Sequence, residues 1–329
     1  MRLIAFTMLL PRILGIALLA FGAMSPAVAS EQPSIDPDAY GKNNNAPIDA
    51  PSEIEVRGQR QLDEDTVSDG IRDIAVSRLP NEPRAQFSDP LCLHVQGLGR
   101  KLSERVGNRV RAHAVEVGID IADEGCTTNA FILVVDRPAV LIERLRETMP
   151  ALFDHRVTGR IRREAELGNP VISWNVQRLS SRFSNGPIRD GAINAGGGLF
   201  DNQVANVPTA RGLWPTRLRN AFGIARTGAF VVFDVRQLNN IHIRQLADYA
   251  TMQLLATPRR QIEVEELAAP TILTLFEEDA LKAPRAMTRL DWSYLKGLYA
   301  LRPTDWGSRL MTSAKKVNAN LPAEDGERP

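Results

Sequence analysis

The sequence predicts an α/β or α+β domain, in which a mixed sheet of about four to five strands carries packed helices. Three observations lead to this class. Apolar runs of strand length alternate along the chain with amphipathic segments of helix length. The 329 residues are 43% apolar and 24% charged, an ordinary globular balance that excludes wholesale disorder, collagen-like and coiled-coil classes. The length is sufficient for a single main domain with a substantial core.

The elements of the first half follow from periodicity and from residues that begin or end helices. An apolar stripe at helical spacing ends at Gly118, a residue type favoured just after a helix. Pro138 suits the first position of the next helix, which runs to Thr148. The predicted elements are a short helix over 69–77, a strand over 91–96, a helix over 99–117 with Leu102, Val106, Val110, Ala114 and Val117 on its stripe, a strand over 130–135, a helix over 138–148 and a basic helix over 157–167.

The second half is predicted on the same grounds. Thr288 and Asp291 form a capping-box pattern that begins a helix, and Pro303 follows its end. Asp305 is placed to cap a last amphipathic helix. The predicted elements are a strand over 171–177 containing Trp174, a long loop or hairpin over 180–212, a strand over 229–235, a helix over 241–256, a helix over 289–301 and the last helix.

The two ends of the chain differ from the predicted domain, which covers 67–320. Residues 1–29 have the pattern of a secretory signal peptide, with Arg2 near the start, an apolar stretch and an A-x-A site that predicts cleavage between Ala29 and Ser30. An uncleaved membrane anchor is the alternative, although the charge-free run is barely long enough to span a bilayer. Residues 30–66 form a polar, Pro- and Asn-rich N-terminal tail that we expect to be flexible, and 321–329 form a polar C-terminal tail. No later segment is as long and apolar as a membrane span.

Export determines how the two cysteines are interpreted. In an oxidising compartment Cys92 and Cys126 are expected to pair, which would tie together the ends of one strand–helix–strand unit. Such a bridge would close a loop of about 35 residues and stabilise the fold by roughly 3–4 kcal/mol. The alternative is a catalytic thiol, but neither cysteine lies in a histidine-containing signature.

Composition and motifs exclude several functions. Lys and Arg number 40 against 39 Asp and Glu, so the chain has no electrostatic signature for nucleic acid. The basic cluster over 156–163 could contact anionic lipid or glycan, but Glu164 and Glu166 compensate its charge, which favours a solvated helix face. The glycine run over 196–198 matches neither phosphate-binding pattern, and no nucleophile-elbow motif is present. Four scattered histidines and two cysteines predict no metal site and no cofactor.

The most informative region runs from the strand over 229–235 to the helix over 289–301. Gln245, Asp248 and Tyr249 on the predicted helix 241–256, together with Asp291 and Trp174, are the candidate catalytic residues if the protein is an enzyme. All but Gln245 have a structural alternative. Asp248 could form an exposed i,i+4 pair with Arg244, Asp291 could cap its own helix, and the aromatic residues could pack in the core.

Three sequence segments in this region resemble an uncharacterised family of exported Gram-negative proteins of the alphaproteobacterial type. They are Gln245-Leu-Ala-Asp-Tyr249, Pro270-Thr-Ile-Leu-Thr-Leu-Phe276 and Asp291-x-x-Tyr294-Leu-x-Gly-Leu-Tyr299. The cysteine pair and Trp174-Asn-Val176 also fit that family. The resemblance covers roughly 85–302 and implies export but no established activity.

A fainter resemblance is to the layout of zincin metallopeptidases, whose helix carries H-E-x-x-H. In that frame Arg244 replaces the first zinc ligand, Gln245 replaces the general base and Asp248 replaces the second ligand. An arginine offers no lone pair to a metal, and glutamine is a poor proton acceptor. The sequence therefore predicts at most a degenerate scaffold without the metal.

Two functions of different classes remain. The first is a periplasmic or secreted cell-envelope protein that is non-catalytic and binds an unknown envelope protein or ligand, with no nucleic acid and no transmembrane span after signal removal. The alternative is a hydrolase that acts on envelope material through a site on helix 241–256. A cleft shared by Gln245, Asp248 and Tyr249 would favour the hydrolase.

Overall fold

The computed structural model describes residues 61–76, 80–153, 155–181, 184–187, 190–192, 206–208, 220, 222–277 and 279–322. All of them belong to one compact unit, 55–329. The predicted signal peptide with its cleavage point between Ala29 and Ser30, most of the N-terminal tail, the glycine run over 196–198 and residues 323–329 lie outside the described residues.

The described sheet is mixed, which confirms the predicted α/β class. The strands are β1 (Gln86–Phe87), β2 (Leu93–Gln96), β3 (Ala130–Val135), β4 (Val171–Ser181), β5 (Ser184–Pro187), β6 (Asp190–Ala192), β7 (Asn206–Pro208) and β8 (Phe222–Asp234). Its strands follow the order β2-β3-β8-β4-β5, and the short β1 pairs with β8 beside that path. β1, β2 and β3 run parallel to their partners, whereas β4 is antiparallel to both β8 and β5. A separate antiparallel pair is formed by β6 and β7.

Helices pack on both faces of the sheet and make a three-layer structure. They are α1 (Glu64–Ile74), α2 (Arg100–Glu116), α3 (Pro138–Thr148), α4 (His155–Glu166), α5 (Ile243–Leu255), α6 (Arg289–Tyr299) and α7 (Arg309–Asn320). The larger core lies between one face and α1, α2, α5, α6 and α7, and the smaller core lies between the other face and α3 and α4. Buried strands in such a sheet are apolar on both sides, as β3 and the second half of β8 are.

Two helix starts differ from prediction. α1 begins at Glu64, inside the segment predicted as tail, because Asp63 caps it by accepting from the backbone N–H groups of Asp65 and Thr66. The prediction that Asp305 caps the last helix is wrong. α7 begins at Arg309, and the Asp305 carboxylate instead accepts from the Arg302 backbone N–H at 3.1 Å.

β8 begins seven residues before the predicted strand. The prediction missed this first part because an arginine interrupts the apolar pattern there. Arg226 is fully buried on this strand. Its guanidinium donates to the carbonyls of Leu254 and Ala256 and to the Thr257 hydroxyl, around the C-terminus of α5. A cation there satisfies carbonyls that the helix leaves unpaired and complements the helix dipole. A polar residue in the sequence therefore marks a strand–helix contact.

The segment of β4 over 171–176 has β8 as its only neighbour among the described strands. On its other side, the Ser173 carbonyl accepts hydrogen bonds from the guanidinium groups of Arg260 and Arg160. Arg160 also pairs with Glu164 on α4 at 2.7 Å, but the Glu164 side chain is only 14% exposed, so the predicted solvated face holds for the exposed Arg162–Glu166 pair and not for this one. Two arginines thus occupy the outward-facing carbonyl of β4 at Ser173.

The Cys92 and Cys126 Sγ atoms lie 1.95 Å apart, at disulfide-bonding distance, with Cα atoms 6.1 Å apart. The pair joins the start of β2 to the segment before β3, so it closes the β2–α2–β3 unit as predicted. Asn129 reinforces the same junction, because its side chain accepts from the Cys92 N–H and donates to the Pro90 carbonyl, each at 2.9 Å. Within the described residues, no helix is long and apolar enough to cross a membrane.

Candidate ligand-binding cavity

Asp248 occupies a buried ion pair between helices. Its side chain is fully buried, and its carboxylate receives two hydrogen bonds from the Arg109 guanidinium of α2, one of them 2.8 Å long. It also accepts from the Met287 backbone N–H at 2.8 Å, just before α6. The predicted exposed pair with Arg244 is therefore wrong, because Asp248 lies on the face of α5 that packs against α2.

His113 lies beside this ion pair. Its Nδ1 is 3.6 Å from the Asp248 carboxylate and 3.3 Å from the Thr251 hydroxyl, and its ring meets Trp292 edge-on with centroids 5.0 Å apart. Burial lowers the pKa of His113, because a charged imidazolium would lose its hydration, and the opposing effect of Asp248 is smaller. The cluster joins α2, α5 and α6, and the lowered pKa of His113 favours the uncharged imidazole at its centre.

Gln245 has a structural task at the start of α5. His242 caps the helix, and the Gln245 side chain accepts from the His242 backbone N–H at 3.0 Å, completing a capping box. Its amide nitrogen donates to the carbonyls of Ala280 and Pro284 at 3.0 and 3.1 Å. Gln245 therefore fixes the loop over 280–284 against the helix, and its polar atoms are occupied.

Asp291 confirms the predicted cap and adds a second contact. Its carboxylate accepts from the backbone N–H and the hydroxyl of Thr288 at 2.8 and 3.0 Å. It also accepts from the Thr271 hydroxyl and from the Ile272 N–H, at 2.9 Å for the latter, which begins the short 3₁₀ helix Ile272–Phe276. Burial raises the pKa of Asp291 to about 6, although these hydrogen bonds oppose the shift.

Tyr249 and Trp174 pack in the two cores. Tyr249 is buried between Phe233 and Phe276, with ring centroids 6.2 and 5.0 Å away. Burial raises the pKa of its hydroxyl. Trp174 is on the opposite face of the sheet, and its indole N–H donates to the Leu152 carbonyl at 3.1 Å. The predicted core packing of both aromatics is confirmed.

Gln245, Asp248 and Tyr249 lie on one helix, but each side chain has different surroundings. Asp291 lies in a fourth environment, separate from those three. None of these four side chains lines the cavity of about 690 Å³ on the other side of the sheet. The same part contains no group of three or more metal-ligating side chains. A catalytic role for the four residues stays a prediction.

A row of rings crosses the other face of the sheet. His94 of β2 is in register with Phe131 of β3, Phe131 with Phe230 of β8, and Phe230 with Trp174 of β4. The Phe131 and Phe230 rings stack with centroids 4.8 Å apart, and Phe230 and Trp174 stack at 4.7 Å. Phe153 continues the stack beyond Trp174 at 5.2 Å. Stacked aromatics of this kind make a continuous apolar surface.

Helix α3 covers only part of that surface. Along β3 the residues that face the larger core are buried, whereas Phe131, Leu133 and Val135 on the opposite face are only half-buried. Leu141 and Leu145 of α3 are also half-buried beside them. An apolar groove therefore runs along β3 between the sheet and α3.

The groove is a cavity of about 690 Å³, within the size range of small-molecule sites. Gly228 contributes to its floor, since a Cβ at that position would stand 3.5 Å from Phe230 and Val176, in ordinary contact. The lining residues are His94, Gln96, Gly97, Thr128, Asn129, Phe131, Leu133, Val134, Val135, Leu141, Leu145, Met149, Leu152, Val176, Thr227, Gly228 and Phe230.

Sequence reasoning missed this cavity, although part of the signal was present. The run over 130–135 is apolar at every position, which indicates a strand with apolar groups on both faces. Which stretch of the second face a helix leaves uncovered depends on where α3 packs, and that is not encoded locally. The run Arg226-Thr227-Gly228, which interrupts the apolar pattern of the strand, is a local sign of the register shift opposite Val176 and Gln177.

The fold and the cavity define a three-layer α/β protein with an apolar pocket on one face of its sheet. Comparisons with protein-family models, with curated proteins and with solved structures found no match. The two resemblances drawn from the sequence therefore stay predictions, and the arguments about function rest on the residues themselves.

Proposed function

We propose that this protein is a non-catalytic binding protein of the cell envelope that holds a small apolar molecule in the cavity between β3 and α3. The single observation that carries the proposal is the cavity itself: about 690 Å³, with a stacked aromatic wall and only a few polar side chains in its lining. Sites of this size and composition are the usual form of small-molecule pockets.

Export is the second part of the proposal. The cysteine pair supports it, because disulfides persist in oxidising compartments. The signal-like segment over 1–29 supports it as well. If export is right, protein recovered from the periplasmic fraction has Ser30 at its N-terminus by mass spectrometry. Recovery of the full-length chain from the cytoplasmic fraction alone would contradict it.

Binding ranks ahead of the hydrolase because of what surrounds the acidic candidates. The carboxylates of Asp248 and Asp291 are fully buried and already accept hydrogen bonds from neighbouring groups. A general base must reach a proton of the substrate. The hydrolase would gain support if the wild-type protein cleaved peptide, ester or glycan substrates and Asp248→Asn lost that activity while remaining folded.

The binding proposal is tested with the neutral fluorescent dye N-phenyl-1-naphthylamine, whose emission rises in apolar surroundings. We expect the wild-type protein to bind it, and Gly228→Leu to weaken binding at least tenfold because the new side chain fills the floor of the cavity. The matched control is Gly159→Leu on α4, where a Cβ would have no atom within 4 Å. It should bind the dye like the wild type.

A second variant guards against a misfolded first one. Leu145→Gln puts an amide on the α3 wall of the cavity and should weaken dye binding because the amide loses hydration there. Circular dichroism and urea unfolding check that each variant is folded. Dye binding by wild type that neither cavity variant weakens would overturn the proposal, as would no binding at all.

A further inference from the structure

The cavity has an asymmetric lining. On the α3 side its wall is formed by apolar side chains. On the β2 side stand His94 and Gln96, which are exposed, lie on one face of the strand and are separated by about 7 Å, two residues of strand rise. Thr128, near the start of β3, lies on the same side, and we call these three residues the polar lip of the cavity. The apolar wall consists of Leu141, Leu145, Met149 and Leu152.

The lip has hydrogen-bonding capacity to spare. In the described part of the chain, the side chains of His94, Gln96 and Thr128 make no hydrogen bond to another protein group. Asn129 differs, because its amide is engaged with Cys92 and Pro90. Polar groups that line one edge of an apolar pocket without protein partners are placed to orient a ligand.

The lining also lacks charge. Among the 17 described residues that form it there is no Asp, Glu, Lys or Arg. A carboxylate or ammonium group that entered would exchange its hydration for an apolar wall without a counterion, which is costly. A neutral hydroxyl or amide would lose less, because the lip can replace its bonds to water.

We propose that the ligand is an uncharged amphiphile whose apolar part lies along β3 and whose hydroxyl or amide group is hydrogen-bonded by the side chains of His94 and Gln96. This inference rests on the proposed function and specifies the ligand class for the same cavity. It predicts discrimination by charge at constant chain length.

The test is competition against N-phenyl-1-naphthylamine by three ten-carbon compounds: 1-decanol, decanoate and decyltrimethylammonium. The full chain is used at about pH 8. We expect 1-decanol to displace the dye at least tenfold more effectively than either ion. If decanoate or the ammonium compound displaces the dye as well as the alcohol does, the ligand class is wrong.

The lip itself is tested with the double variant His94→Leu, Gln96→Leu. The dye needs no hydrogen bond, so its affinity should be retained, whereas that of 1-decanol should fall roughly 3- to 10-fold, the worth of one or two hydrogen bonds. Gln61→Leu, an exposed glutamine that does not line the cavity, is the control and should change neither. An unchanged affinity for 1-decanol in the double variant would overturn the role of the lip.

The outcomes separate the two proposals. Failure of the wild-type protein to bind the dye removes both the proposed function and this inference. Dye binding that Gly228→Leu abolishes, without preference for the alcohol over the ions, leaves the binding function standing and removes the uncharged ligand class alone.

Discussion

Arg109 and Asp248 form a two-point ion pair that joins α2 to α5, with the carboxylate fully buried and the arginine side chain 29% exposed. Arg109→Ala would leave a buried carboxylate without its cation. We expect it to lower the free energy of unfolding by about 3 kcal/mol, the low end for a broken buried pair because Arg109 is partly exposed. Urea unfolding followed by circular dichroism measures the loss.

The control for this pair is Arg72→Ala. Arg72 pairs with Asp69, but the two side chains are 62% and 57% exposed, so removing the cation should change stability very little. Arg109→Lys should recover only part of the loss, since an ammonium group cannot make the two parallel bonds. Equal effects of the two alanine substitutions would show that the buried pair is not formed.

Asp291 should make stability depend on pH in the direction opposite to ordinary acid denaturation. Its pKa is raised to about 6 in the fold, so the folded state binds this proton more tightly than the unfolded state does. The resulting stabilisation is complete below the unfolded pKa near 4 and is lost as the pH rises through about 6, by about 2–3 kcal/mol in total. Relative to Asp291→Asn, the wild type should therefore become more stable as the pH falls from about 7.5 to 5.

The asparagine variant suits this comparison because its amide can still accept from Thr288 and Ile272. Asp291→Ala removes all the acceptors and should destabilise the protein at every pH. The measurement is the difference in unfolding free energy between wild type and Asp291→Asn at a series of pH values. A difference that does not change with pH would contradict the raised pKa.

Reduction of the Cys92–Cys126 disulfide should lower the melting temperature of the protein. The bridge spans 34 positions, and its loss removes a constraint on the unfolded chain worth roughly 3–4 kcal/mol. Thermal unfolding with and without a thiol reductant measures the shift, and Cys92→Ala, Cys126→Ala should show the reduced value in both conditions. Two free thiols in unfolded, unreduced protein from the periplasm would disprove the pairing in the cell.

Two helical glycines should respond to alanine with opposite signs. A Cβ at Gly159 would meet no atom within 4 Å, so Gly159→Ala should stabilise the protein by about 0.5–1 kcal/mol through helix propensity. A Cβ at Gly297 would stand 2.8 Å from the Ala314 Cα, where α6 crosses α7. Gly297→Ala should therefore destabilise by about 1 kcal/mol or more. Melting temperatures of the two variants test both signs, and a stabilised Gly297→Ala would show that the helices separate easily.

Local sequence patterns were sufficient to predict most of the helices and strands of the fold. The predicted strand over 130–135 and helix over 138–148 have the observed bounds, because an apolar run and an N1 proline are signals contained in the segments themselves. The start of β8 was missed because Arg226 is buried on a strand, and its partners are the carbonyls of Leu254 and Ala256, nearly thirty residues later. The two-residue β1 was missed because its pairing with β8 is a tertiary feature.

The candidate site was harder to predict because chemistry-bearing residue types also serve structure. Asp248 and Asp291 are the acids that a search for catalytic groups selects, yet both bind groups of the fold across elements. The cavity instead uses residues that a sequence shows as plain strand and helix positions, such as Phe131 and Leu145. Its existence depends on the area that α3 leaves uncovered, which follows from packing.

The arginine pair at Ser173 has a consequence for how molecules of this protein behave when crowded together. An outermost strand with unpaired backbone groups is a template to which a strand of another chain can add, and repeated addition produces filaments. At this carbonyl the guanidinium groups of Arg160 and Arg260 already occupy the acceptor. Replacing both arginines would free this acceptor on β4 for a strand of another molecule, so we expect the double variant to form filaments more readily than the wild type at high protein concentration.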